Sequence, residues 1–105
     1  MSFLRLAPVG AALLLACGPA HAQDDLELGK RVFTEIAEPQ CGICHTLADA
    51  GTTGEVGPIL DTLKPDFDRV KAAVVNGIGP MMANETLSDE EVDAVARYVS
   101  SVAGK

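Results

Sequence analysis

The sequence predicts an all-α domain of about four short helices. Three observations carry that expectation. In several separate stretches, apolar residues recur at three- and four-residue intervals, which puts them on one face of a helix. Those stretches open on the capping residues Asp24, Asp66 and Ser88, and end at Gly or Pro or at the chain terminus. No segment shows the two-residue alternation of a half-buried strand.

The elements follow in chain order. Residues 1–22 read as a secretory signal peptide: one positive charge at Arg5, an apolar run centred on 11–16, then the small-x-small triplet Ala20-His21-Ala22. The apolar run is too short to span a bilayer, and Pro19 follows it. A lipobox at Leu14-Leu15-Ala16-Cys17, with Cys17 lipidated, is the alternative, but Leu15 fits that pattern poorly. The domain is therefore expected over 23–105. Asp24, with Glu27 three residues on, caps a first helix over 25–37, whose stripe is Leu28, Val32, Phe33 and Ile36. Pro39 ends it. A short second helix begins at Cys41 and covers 41–48. Residues 51–57 form a loop rich in Gly and Thr, closed by Pro58, and 59–63 add one turn. A third helix covers 67–76, with Asp66 as cap and Gly77 as stop. Its apolar positions are Phe67, Val70, Ala73 and Val74. Arg69 and Lys71 read as its solvated face, with pairing to the acid groups of a bound cofactor as the alternative. Gly77-Ile78-Gly79-Pro80 must be loop. The last helix starts at Ser88, where Glu91 completes a capping box and Asp89, Glu90 and Glu91 complement the helix dipole. Val92, Val95, Ala96, Val99 and Val102 line one of its faces.

Charge narrows the function classes. The formal net charge of the chain is -7, and loss of Arg5 with the leader makes the domain more acidic still. Nothing here resembles the basic footprint of a protein that binds nucleic acid or anionic lipid. Partners with a basic docking face suit it better. The chain holds one Tyr and three Phe, a thin supply for a core. Domains this small need a staple or a bound group.

Cys41-Gly42-Ile43-Cys44-His45 supplies one. The pattern C-x-x-C-H is that of covalent haem attachment. Two thiols about one helical turn apart can add to the two vinyl groups on one edge of a porphyrin. The next residue, His45, then lies under the ring and can bind iron. A structural zinc needs four ligands, and the processed chain keeps two Cys and one His. A thioredoxin-like pair needs a βαβ setting, and a Cys41–Cys44 disulfide leaves His45 unexplained. The expectation is one haem c, bound through Cys41 and Cys44 with His45 on the iron. After processing no second histidine remains, so the other axial ligand is sought among soft donors. These are Met81 and Met82, in the loop between the last two helices. Met81 is favoured because Pro80 fixes the chain before it, with Met82 as the alternative.

These residues resemble the class I monohaem cytochromes c over nearly the whole processed chain. The resemblance rests on Gly29, Phe33, 41–45, Gly57-Pro58, Met81, Val95 and Tyr98. It implies a close crossing of first and last helices at Gly29, with Phe33, Val95 and Tyr98 packed there. It also implies that the Pro58 carbonyl accepts a hydrogen bond from His45. Two departures stand out: Ile59 replaces an expected Asn, and Met82 follows Met81 where Pro is usual. The stretches 48–57 and 76–82 are also similar to small cytochromes that accept electrons from bacterial sulfite dehydrogenases. That resemblance implies a molybdenum sulfite dehydrogenase as donor and a cytochrome oxidase or another cytochrome as acceptor.

The reading is a periplasmic one-electron carrier, not an enzyme, without a membrane span, monomeric or in a transient heterocomplex. With both axial positions filled, no substrate reaches the iron. Gln40, Gly42, Ile43, Pro80, Met82, Ala83 and Asn84 would surround the exposed haem edge, and none is charged. The alternatives are a tightly bound haem subunit of a larger oxidoreductase, or a five-coordinate peroxidase or gas sensor. The last would need an open iron position and a distal catalytic group.

Overall fold

The computed structural model describes residues 20–105, together with Ser2 and Gly10. The signal peptide expected over 1–22 and the Cys17 alternative fall outside the described residues, apart from 20–22, whose backbone opens the first helix.

That helix, α1 (Ala20–Arg31), continues into one wide turn over Val32–Ile36. The Ala37 amide closes the turn by donating to the Val32 carbonyl at 3.0 Å. The helix therefore begins before the expected residue 25, and Asp24 lies inside it rather than capping it. Tertiary contact accounts for the difference. Arg97 Nη1 donates to the Asp25 carboxylate at 2.8 Å, holding the start of α1 against the last helix. A helix supported from outside extends past its local cap signal.

The second helix, α2 (Cys41–Cys44), is one turn, not the longer segment expected over 41–48. His45 is already extended, at φ -120° and ψ 135°. Thr46–Leu47 (β1) then pairs antiparallel with Thr52–Thr53 (β2) across a tight turn at Ala48–Ala50. Such short strands have no room to display an alternation. Their β-branched threonines suit the extended backbone, and Gly51 takes the left-handed turn position at φ 68°.

From Leu60 onward the expectations hold. A single turn forms at α3 (Leu60–Leu63), then α4 (Phe67–Asn76) and α5 (Asp89–Val102). The Arg69 amide donates to Asp66 Oδ1 at 2.8 Å, and Gly77, at φ 73°, ends α4. The Ser88 amide donates to Glu91 Oε1 at 2.9 Å, while the Glu91 amide donates to Ser88 Oγ at 3.1 Å. The capping box is complete. The architecture is that of an all-α, class I c-type cytochrome fold.

The core lies where α1 crosses α5. Val32, Phe33, Leu47, Val95, Tyr98 and Val99 are fully buried. Gly29 sits at the crossing, where a Cβ would strike the Ala94 carbonyl and the Tyr98 side chain. Phe33 and Tyr98 pack with ring centroids 6.2 Å apart, tilted by 60°. The Tyr98 hydroxyl donates to Asp49 Oδ2 at 2.5 Å, tying the hairpin turn to the crossing, and Lys30 Nζ lies 3.8 Å from the same oxygen. Burial, then the bond to Asp49, pushes the Tyr98 hydroxyl well above its ordinary range. Asp61 makes a second tie. Its carboxylate accepts from the amides of Gly104 and Ala48, both at 2.9 Å. Those donors hold it below the usual carboxylate value. Among the described residues, no helix is long and apolar enough to cross a membrane.

Candidate functional site

The single turn of α2 presents Cys41 and Cys44 side by side, both as free thiols. The His45 amide donates to the Cys41 carbonyl at 3.0 Å and closes the turn. Burial pushes the Cys41 thiol up to about 11; its own backbone amide opposes the shift and Cys44 adds to it.

His45 is held from three directions. Its Nδ1 lies 2.8 Å from the Pro58 carbonyl. A carbonyl only accepts, so Nδ1 carries the proton and Nε2 keeps its lone pair. Gly57 lies flat against the imidazole, where a Cβ would overlap the ring. The Gly57 amide donates to the Cys44 carbonyl at 2.7 Å. On the other side, Thr52 Oγ1 donates to the His45 carbonyl at 2.9 Å and accepts from the Leu47 amide at 3.1 Å. The hairpin thus anchors the backbone of His45, while the loop 54–58 orients its ring.

The loop after α4 is equally constrained. The amides and carbonyls of Ile78 and Met81 exchange two hydrogen bonds, each 2.9 Å, around Gly79 at φ 53°. The Asn84 amide donates to the Val74 carbonyl at 2.8 Å and returns the chain toward α4. A Cβ on Gly77 would come within 2.7 Å of the Met81 carbonyl, so the loop folds back tightly on the helix end. The Met81 side chain is half-buried against the core. Met82 is 82% exposed.

Cys41, Cys44, His45, Pro58, Met81 and Met82, all singled out in the sequence, line one cavity of about 790 Å³. Its remaining wall is largely apolar, with Phe33, Leu60, Val74 and Val99 among its members. The volume suits a whole organic cofactor, for which pockets run about 300–1,000 Å³. Paired thiols, an oriented imidazole and a thioether on one apolar cavity are the donor set of a covalently bound haem. The residues fit that group. Among the described residues, no group of three or more His, Cys, Asp or Glu is placed to hold a metal ion.

Three features were not anticipated. Thr52 gave no signal in the sequence, and Gly57 was marked by resemblance without its contact to the ring. Glu38 also lines the cavity, putting a carboxylate beside the rim residues Gln40, Pro80, Met82, Ala83 and Asn84. The expected neutral patch therefore has a charged neighbour. Ile78, on the cavity wall, is 64% exposed; Gly42 and Ile43, expected at the exposed edge, are not among the residues that line the cavity, though Ile43 is 60% exposed.

Comparison with known proteins agrees with this geometry. Residues 24–99 match the family described as cytochrome C oxidase, cbb3-type, subunit III. The chain belongs to this family of c-type cytochromes. The fold is similar to the crystal structure of the c-type cytochrome SorU from Sinorhizobium meliloti, at 66% sequence identity and a TM-score of 0.78. That match covers 79% of this chain and 95% of SorU. No curated protein matches the chain significantly. As a c-type cytochrome, the protein transfers electrons rather than catalysing a reaction on a substrate, and its cofactor is covalent haem c.

Proposed function

We propose that this cytochrome is a periplasmic one-electron carrier, with His45 and Met81 as the axial ligands of its haem. In this reading residues 1–22 are removed on export, 23–105 form the working domain, and Cys41 and Cys44 carry the thioether links. The observation that carries it is the meeting of Cys41, Cys44, His45 and Met81 on one cavity. Bound haem supplies a single iron centre that gains and loses one electron. The chain's own residues do the rest. Pro58 holds the proton of His45 on Nδ1, which leaves Nε2 free for the metal and raises its basicity. Met81, with its backbone pinned and its side chain half-buried, supports the choice of that thioether over exposed Met82. A thioether and an imidazole would together hold the iron, a donor pair that favours the reduced state. Ile78 and Met82 give partners an apolar rim for a brief, small contact, while the acidic surface steers the approach. The resemblance of 48–57 and 76–82 to small cytochromes that accept electrons from bacterial sulfite dehydrogenases supports such an enzyme as donor, with a cytochrome oxidase or a second cytochrome as acceptor.

The spectrum of the oxidised holoprotein tests the ligand set. A near-red methionine-to-iron band, lost in Met81→Ala and kept in Met82→Ala, is the expected result. Full binding of CO by the reduced wild-type protein would overturn the closed six-coordinate reading. The family description favours a second reading, a haem subunit held tightly in a larger oxidoreductase. Gel filtration of a native extract separates the two, because a free carrier elutes at its own small size.

A further inference from the structure

Two charged residues line the cavity, Glu38 and Arg69. Glu38 precedes α2 and stands beside the thioether cysteines in sequence. Arg69 lies in the first turn of α4, on the face that also carries Ala73 and Asn76 to the cavity. Asn76 leads into the methionine loop. At 1.5 Å per residue, Arg69 is about 10 Å back along the helix from that loop. Lys71, its neighbour on α4, is committed elsewhere. Lys71 Nζ pairs with Asp93 Oδ1 at 2.8 Å and sits over the Phe67 ring at 5.9 Å. Arg69 differs. Among the described residues, no carboxylate lies within ion-pairing distance of its guanidinium. Leu60 and Leu63 of α3, and Val95 and Val99 of α5, present only apolar walls to the same cavity.

A haem is not apolar throughout. It carries two carboxylates on the edge opposite its vinyl groups. Placing the vinyl edge at Cys41 and Cys44 sends the acid edge to the far side of the cavity. We propose that Arg69 pairs with a haem propionate and holds the acid edge of the cofactor. The proposal rests on the haem reading of the cavity, and of the two sequence readings of Arg69, which is exposed on α4, it takes the propionate one. Guanidinium is the side chain best matched to a carboxylate, since its planar fork donates two parallel hydrogen bonds. Its fixed positive charge would disfavour the oxidised iron and keep the propionate ionised. Arg69 acts here as a positioning residue, not a ligand.

The test uses the holoprotein and its Arg69→Gln and Arg69→Lys variants. Thioether haem content is read from the alkaline pyridine spectrum. The reduction potential is measured at a pH above the propionate titration. That titration is followed through the haem methyl resonances. Arg69→Gln should keep full haem and the near-red band, lower the potential, and move the propionate titration toward neutral pH. Arg69→Lys should restore most of both shifts. Wild-type potential and wild-type titration in fully haem-loaded Arg69→Gln would overturn the proposal. A wild-type protein without thioether haem would overturn the cavity reading itself, and the two failures look different.

Discussion

Tyr98→Phe removes one oxygen atom from the tie between hairpin and helix crossing. The ring stays, and at 2% exposure it remains packed against Phe33, so no cavity opens. What is lost is the 2.5 Å bond to Asp49. Hydrogen bonds to charged groups contribute about 1.5–3 kcal/mol. The Asp49 side chain is 43% exposed and keeps Lys30 at 3.8 Å. Water therefore replaces part of the bond, which brings the expected loss to about 1–2 kcal/mol. Urea unfolding of the oxidised holoprotein should show a midpoint lower by about 1 M with an unchanged slope. The pH dependence has a definite sign. In the fold, burial and Asp49 hold the hydroxyl neutral above its ordinary range. In the unfolded chain it ionises near pH 10. The advantage of tyrosine over phenylalanine is then fully present below about pH 10, and is lost as pH rises toward the folded-state value. An equal midpoint at pH 7, or a gap that widened in alkali, would refute this account of the bond.

Three further outcomes are expected. Gly29→Ala, which drives a methyl group into the Ala94 carbonyl, should lower stability by about 1–3 kcal/mol in the same assay while leaving the near-red band in place. Gly57→Ala should do the reverse: the added methyl displaces the His45 ring, so the haem spectrum and potential shift while far-ultraviolet dichroism stays near wild type. Asp61→Asn should weaken the protein at neutral pH, with the gap closing in acid. The folded carboxyl is depressed by the Gly104 and Ala48 amides, so its contribution is present above about pH 4 and lost as pH falls through the folded value. Unfolding midpoints measured from pH 7 down to pH 3 check this.

The parts of the fold that were legible in the sequence are those with local causes. Ser88 and Glu91 bond each other across one turn, and Asp66 bonds the amide of Arg69, so three or four residues contain the whole reason for the boundary. The start of α1 has no such local reason. It depends on Arg97 meeting Asp25 from the far end of the chain, and on the crossing at Gly29. The hairpin is hidden for another reason. It has a register of only Thr46 with Thr53 and Leu47 with Thr52, below the length at which periodicity carries information. Its stability comes from Thr52 bonding both Leu47 and His45, a three-body contact that no spacing rule describes.

The candidate site divides along the same line. Cys41, Cys44 and His45 are legible because their chemistry demands a fixed spacing, which one helical turn supplies. The methionine was legible by elimination, since few soft donors remain in the chain. For the choice between neighbours the sequence offered only Pro80 before Met81, because Met81 and Met82 differ chiefly in what the loop does with them. Two backbone bonds between Ile78 and Met81 turn one side chain inward and leave the other on the surface. Arg69 shows the limit most clearly. On a helical wheel it belongs with Lys71 as a solvated face. In three dimensions Asp93 takes Lys71, while Arg69 stays exposed at the wall of the cavity. One cation stabilises the packing of α4 on α5, and the other is left for the carboxylates that the cofactor brings with it.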